Sequence, residues 1–270
     1  MPENEGAAVE KPYDLERFHV EILTPKLDAP DIEAELNKFG DKYRASIGAD
    51  YVVCITDNPM GHLSVTAMDA IQELGLPVRP DRLCVHLNTF HTKKDLDAIL
   101  QTVHDAGGHD LLIVSGDGSQ RLHRLEPGEI GVPCLTVTSV ELLRYIDREY
   151  PGVFRCGVAF NPYEPQDAEL AKMERKIEAG ARFIITQPII GRDERVIPLR
   201  RFKIPVILDA WMSKKLHLLG ECVGTPIPEG TPYDPIQNLR DLRSSFPDFG
   251  LYLALLGFKT QFPLLGSLWA

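Results

Sequence analysis

The sequence predicts a (β/α)8 barrel, and three observations carry that prediction. Eight short apolar runs recur along the 270 residues, and the stretches between them repeat hydrophobic residues every three or four positions. The glycine-rich loops that cradle phosphates in open nucleotide-binding sheets are missing. A Rossmann-like open sheet is therefore the runner-up.

The runs are Phe18 to Leu23, Tyr51 to Ile55, Leu83 to Leu87, Leu111 to Val114, Phe154 to Phe160, Phe183 to Thr186, Pro205 to Leu208 and Leu251 to Leu256. Between them, Ile32-Leu36-Phe39-Tyr43, Val65-Met68-Ile71-Leu74 and Leu96-Ile99-Val103 have the spacing of helices that cover one face of a sheet. Gly48, Gly75, Gly107-Gly108 and Gly180 stand just before the next run, where a left-handed helix cap is cheap. No GxGxxG follows the first run and no GxxxxGK[ST] occurs anywhere. The Pro- and Gly-rich stretch from Gly224 to Pro235 reads as a long loop before the last strand.

Composition bounds the function. With 44% hydrophobic residues, 25% charged residues and a net charge of -10, the chain has the proportions of an ordinary globular protein. The acidic balance argues against nucleic acid as a partner, because duplex binding needs clustered Lys and Arg, and Lys214-Lys215 and Arg200-Arg201 are short. No apolar stretch is long enough to span a bilayer. Residues 1–15 read as a polar, flexible leader without the features of a secretory signal, and residues 16–270 as one barrel domain of a cytoplasmic protein. Cys54, Cys84, Cys134, Cys156 and Cys222 are odd in number and widely spaced, which suits reduced thiols rather than a disulfide framework or a zinc knuckle.

Chemistry on this fold gathers where strands end. Glu21 lies within the first run, Thr56-Asp57-Asn58 follow the second, Asn88 the third, and Ser115-Gly116-Asp117-Gly118 the fourth. Asn161 and Glu164 follow the fifth run, Gln187 the sixth and Asp209 the seventh. Taken alone, Asp57 and Asp209 read as turn formers or helix caps. Glu21 interrupts a strand buried by helices, where an unpaired carboxylate is costly, so it is expected to face a polar mouth. Partial desolvation there would raise its pKa and suit it to general acid work. The plainer alternative is an ion pair with Lys26. The eight histidines form no HxH, HxxxH or HExxH and read as surface or hydrogen-bonded core groups; no metal is expected. GxSxG is absent, and the runs carry no lysine apart from Lys259 near the last, which disfavours acyl-enzyme and Schiff-base chemistry.

The segment Glu174 to Gln187, ERKIEAGARFIITQ, resembles the methylenetetrahydrofolate reductase family, in which "K-x-x-A-G-A-x-x-x-I-T-Q" carries the fifth helix into the sixth strand. HVEILTP at 19–25, VVCITDN at 52–58, SGDG at 115–118, VTSVELLRYI at 137–146 and GVAFNPYEP at 157–165 are similar to family blocks in the same order. The resemblance covers residues 18–190 and fades beyond. It implies a (β/α)8 barrel that binds FAD at its mouth. The implied reaction passes a hydride from NAD(P)H to FAD, and then to the one-carbon unit of 5,10-methylenetetrahydrofolate. By resemblance Glu21 is the acid that protonates the folate nitrogen, and Asp117 lies beside flavin and folate. Gln187 contacts folate or nicotinamide, Thr56 the flavin, and Glu169 and Lys176 the cofactor's ribose and phosphates. A homo-oligomer or a redox partner protein is compatible with this. Against the family pattern, Ser115 replaces the arginine of "R-G-D", Asn161 a tyrosine, Glu164-Pro165 an "H-P", and LDAWMSKKL a "P-G-I-x-P" loop. These departures keep a second expectation open, a non-redox folate-binding or complex-forming subunit whose flavin site has decayed.

Overall fold

A computed structural model describes residues 13–224, 226–228 and 230–266. The first twelve positions of the expected leader and the side chain of Cys222 lie outside the described residues. Eight parallel strands close into one barrel in sequence order, β1 pairing with both β2 and β8. The strands are β1 (Phe18–Ile22), β2 (Val52–Ile55), β3 (Leu83–Leu87), β4 (Asp110–Ile113), β5 (Arg155–Phe160), β6 (Phe183–Thr186), β7 (Val206–Trp211) and β8 (Gly250–Ala254). The helices are α1 (Ile32–Gly48), α2 (Ala67–Glu73), α3 (Lys93–Asp105), α4 (Ser139–Glu149), α5 (Gln166–Glu178), α6 (Leu216–Val223), α7 (Pro235–Ser245) and α8 (Phe258–Leu265). The expected barrel is the observed one.

Alternation within each strand builds two cores. In β1, Val20 and Ile22 turn outward to the helices, while His19 and Glu21 turn into the barrel with Cys54, Cys84, Leu112, Phe183, Ile207 and Tyr252. Helices α1 to α4 and α7 are launched from the carboxyl-terminal mouth by a side-chain cap. Asp31, Thr66 and Thr92 accept from the backbone N–H three residues on, and Thr138 and Glu141 form a capping box. These caps fix the loops that rim the mouth.

Three details differ from the sequence reading. α1 runs through Gly48, and the left-handed turn falls on Asp50 at φ 59, whose carboxylate accepts from Arg17, Arg79 and Arg82. That arginine cluster offsets the strain of a non-glycine residue there. β7 extends to Trp211, so Asp209 lies inside the strand rather than after it. Between β6 and β7 the chain takes a 3-10 path over Glu194–Phe202, because Pro198 removes an α-helical donor. Among the described residues between Gly224 and Asp234 there is no helix or strand, but α7 rather than the last strand follows them, and Pro235 is its first residue.

The opposite, amino-terminal end of the barrel is stoppered by the chain's own first described residues. Tyr13 stacks on Phe183 at 4.6 Å and on His19 at 5.4 Å, and the Arg155 guanidinium lies 4.5 Å from its ring centre. Tyr13 and Leu15, read from sequence as leader, are therefore packed against the barrel interior.

Candidate functional site

Four polar side chains from β1, β3, β7 and β8 converge inside the mouth. The Tyr252 hydroxyl donates to Glu21 Oε2 at 2.6 Å, and its oxygen lies 3.4 Å from His86 Nε2. Burial raises the Glu21 pKa, opposed by the hydrogen bond from Tyr252. Glu21 thus takes Tyr252 as partner, not Lys26, which is exposed on the following loop. Burial also pushes the His86 imidazole down to about 4, so it is neutral at ordinary pH. Asp209 is 6% exposed, its N–H donates to Thr186 Oγ1 at 3.1 Å, and its Oδ1 has no partner. Burial first, and then the nearby Glu21 carboxyl, raise the Asp209 pKa well above the usual carboxylate range. The site therefore holds two carboxyl groups that resist ionising, together with a neutral imidazole and a phenol.

The rim is tied down by its own polar residues. Asp57 Oδ2 accepts from the Asn88 N–H at 2.8 Å and lies 2.7 Å from His91 Nε2, while Asn88 Nδ2 donates back to the Asp57 carbonyl at 2.8 Å. Asp57 thus ties the loop after β2 to the loop after β3. Gly116 sits at φ 76 against Asn88, where a Cβ would come within 2.7 Å, so the loop after β4 can pass only as glycine. A cavity of about 500 Å³ opens beside this rim between α2 and α3, lined by Asp57, His91, Thr66, Ile99 and Arg121 among others, and it does not include Glu21.

The other residues singled out from sequence divide into two groups. Thr56 (7% exposed) ends β2 with an unpartnered Oγ1, Gln187 follows β6 with its N–H bonded to the Phe160 carbonyl at 2.8 Å, and Asp117 is exposed in the loop after β4. These three stand on the mouth side of their strands. Glu169 and Lys176 are instead engaged within the barrel wall. Glu169 Oε1 accepts from the Asn161 N–H at 3.2 Å and its Oε2 lies 3.0 Å from Lys172 Nζ; Lys176 Nζ donates to the Ala159 carbonyl at 2.7 Å, and burial lowers its pKa.

Sequence reasoning missed Tyr252 and His86. Both carry a strand signal, because Tyr252 alternates with the outward Leu251 and Leu253, and His86 with Val85 and Leu87. Among the described residues no group of three or more His, Cys, Asp or Glu could hold a metal ion, and no helix is long and apolar enough to cross a membrane.

Comparison with known proteins bears on the fold and the family. A solved structure described as an uncharacterized protein from Clostridium thermocellum that binds two copies of 5-methyl-5,6,7,8-tetrahydrofolic acid is 12% identical, with a TM-score of 0.58 and 93% of each chain covered. A 2,3-dimethylmalate lyase of the PEP mutase/isocitrate lyase superfamily is 10% identical with a TM-score of 0.50, covering 94% of this chain and 81% of that one. At such identities both likenesses concern the fold. Methylenetetrahydrofolate reductase 1 of Schizosaccharomyces pombe is 30% identical over 110 residues, 38% of this chain, and the chain spans 17% of that relative's length. The sequence profile of methylenetetrahydrofolate reductase matches residues 19–197, from the strand that bears Glu21 to beyond Gln187, and the chain belongs to that family.

Proposed function

We propose that this protein reduces 5,10-methylenetetrahydrofolate to 5-methyltetrahydrofolate, or runs the reverse reaction, with Glu21 as the general acid. The observation that carries the reading is the Glu21 carboxyl itself, half-buried, raised in pKa and held by Tyr252 at the mouth of a barrel of this family. The fold's likeness to a barrel described as binding 5-methyltetrahydrofolate supports a reduced folate as ligand.

The chemistry asks for a proton and a place for positive charge. A protonated Glu21 supplies the proton to the folate nitrogen as the five-membered ring opens, and becomes a carboxylate beside the iminium cation so formed. No lysine or arginine belongs to the Glu21, Asp209, His86 and Tyr252 cluster, so the cation meets no repulsion there. Gln187 and Asp117, on the same side of the barrel, are the proposed folate contacts.

FAD is the proposed cofactor, with NAD(P)H as the source of electrons. When bound, the flavin accepts and delivers the hydride. The unpartnered Thr56 hydroxyl fits a hydrogen bond to its ring, and the exposed Asp117 carboxylate fits a place beside it. The tail end fits less well, since Lys176 and Glu169 are bonded to backbone and Ser115 brings no charge. That observation favours one second reading, a non-redox folate-binding or complex-forming subunit served by a redox partner.

Visible spectra of the purified protein test both. Bound FAD that bleaches with NADH under anaerobic conditions and recovers with methylenetetrahydrofolate supports the reductase, and Glu21→Gln should abolish the second step while sparing the first. Folate binding by calorimetry without any flavin uptake, and capture of a redox protein, supports the subunit. A protein that binds neither FAD nor folate would reject both.

A further inference from the structure

Glu21 is surrounded on every side by groups that could govern its proton. His19 precedes it on β1, Cys54 is its register partner on β2, His86 stands on β3, Asp209 on β7 and Tyr252 on β8. Burial raises the Cys54 thiol, and His19 and His86 are neutral at pH 7, so neither cation nor thiolate faces the carboxyl. Tyr252 alone reaches it with a hydrogen bond. The phenol has one hydrogen and two acceptors within range, Glu21 Oε2 at 2.6 Å and His86 Nε2 at 3.4 Å. The shorter contact falls at the optimum for an O–H donor and the longer at its outer limit, so the hydrogen belongs to Glu21. The phenol oxygen is then left as an acceptor for His86.

We propose that Tyr252 is the positioning residue for the Glu21 acid: by donating to Oε2 it makes that oxygen the acceptor, and so places the acid's own proton on Oε1. The idea rests on the reading of Glu21 as proton donor. A carboxylic acid can carry its proton on either oxygen, and only one of the two can face a bound substrate nitrogen. Without the phenol the proton would be shared between both oxygens and the side chain would be free to rotate. His86 sets the phenol in turn, since a neutral imidazole fixes the ring's orientation without adding a charge that would ionise Glu21. The Glu21 carboxyl in turn raises the pKa of the buried Asp209, so Asp209 adds no cation and no strong acid to the cluster.

The test follows the Glu21 carboxyl directly, in full-length protein labelled with 13C at the glutamate carboxyl carbons, with the Glu21 signal assigned by its loss in Glu21→Gln. In Tyr252→Phe the titration midpoint of Glu21 should move upward, because the hydrogen bond that favours the carboxylate is gone. The kcat for methylenetetrahydrofolate should fall about tenfold with KM little changed, and the alkaline limb of kcat should move upward with the midpoint. Uniform 3-fluorotyrosine keeps every ring in place and makes the phenol a stronger donor, so the midpoint should move downward; this arm also serves if Tyr252→Phe does not fold. A Glu21 midpoint indifferent to both changes would overturn the proposal. Midpoints that move as stated in a protein that turns over no folate would refute the reductase reading and leave the positioning of Glu21 by Tyr252 standing.

Discussion

Arg155 and Asp110 clasp one another across β4 and β5 through two hydrogen bonds of 2.7 Å, Nε to Oδ1 and Nη2 to Oδ2. The pair lies in the floor of the barrel, where Asp110 is 4% exposed and the Tyr13 ring covers the guanidinium. Removing Asp110 strips both of these hydrogen bonds from the Arg155 guanidinium. Asp110→Ala should cost about 3–5 kcal/mol, and lower Tm by roughly 6–15 °C in a chain of this size. The double variant Asp110→Ala with Arg155→Met should recover most of that loss. Thermal melts of the two variants decide the matter, and equal destabilisation would refute it.

Gly157 is fixed by a neighbour, since a Cβ there would stand 2.0 Å from Phe183 Cε2, and its backbone conformation is otherwise ordinary. Gly157→Ala should therefore destabilise by about 1–3 kcal/mol through overpacking alone. Phe183 is buried against Tyr13, so its ring cannot simply swing aside. Pairing Gly157→Ala with Phe183→Leu should return part of the loss, read as urea midpoints at constant m-value.

Buried acids and bases in this barrel act in opposite directions on the pH dependence of stability. His19 and His86 are held at about 4, below the ordinary 6.5, so between those values the unfolded chain binds two protons that the folded chain does not. Alone, they would make stability fall as pH drops from 6.5 toward 4. Glu21 and Asp209 have raised pKa values, so the folded chain keeps protons that the unfolded one has shed, and stability falls as pH rises toward their folded values. Between pH 4 and 6.5 the two acids therefore act against the two histidines. Glu21→Gln should turn the slope there in the positive direction, and His86→Gln should turn it in the negative direction, the latter by about 1.4 kcal/mol per pH unit. Denaturant titrations between pH 4.5 and 6.5 read the two signs; slope changes of the same sign would contradict this assignment.

Thr56 offers a buried hydroxyl with no partner. Thr56→Val should leave the free protein as stable or about 1 kcal/mol more stable, because an unpaired polar group is removed. If that hydroxyl waits for a ligand, affinity for FAD should drop about tenfold, measured by flavin fluorescence quenching. Weaker apoprotein stability with unchanged flavin affinity would show that the group serves the fold alone.

The strands were legible because a barrel strand is apolar on both faces for most of its length, so each reads as a run. Local compensation was not. Asp50 occupies a left-handed turn that glycine would be expected to fill, and only the arrival of Arg17, Arg79 and Arg82 from other elements explains it. Glu21 could be read as a site residue because a carboxylate inside a buried strand is costly wherever it points. Asp209 has the same property, but its apolar run stops at Leu208, three residues short of the strand's end at Trp211, and the acid therefore reads as a turn former. Tyr252 and His86 escaped notice because each is an unremarkable residue in its own strand. Their meaning lies in reach across the barrel, which no local pattern encodes.

The bond from Tyr252 to Glu21 links residues 231 positions apart in sequence, across the β8–β1 seam where the barrel closes. During synthesis the acid is therefore made 231 residues before its partner, and acquires it only once β8 exists. Until then Glu21 is an ordinary carboxylate, hydrated and ionised, on a strand with an open edge. Closure of the seam, a contact of high sequence separation and so of high entropic cost, is the event that turns a nascent surface charge into an acid partly withdrawn from water.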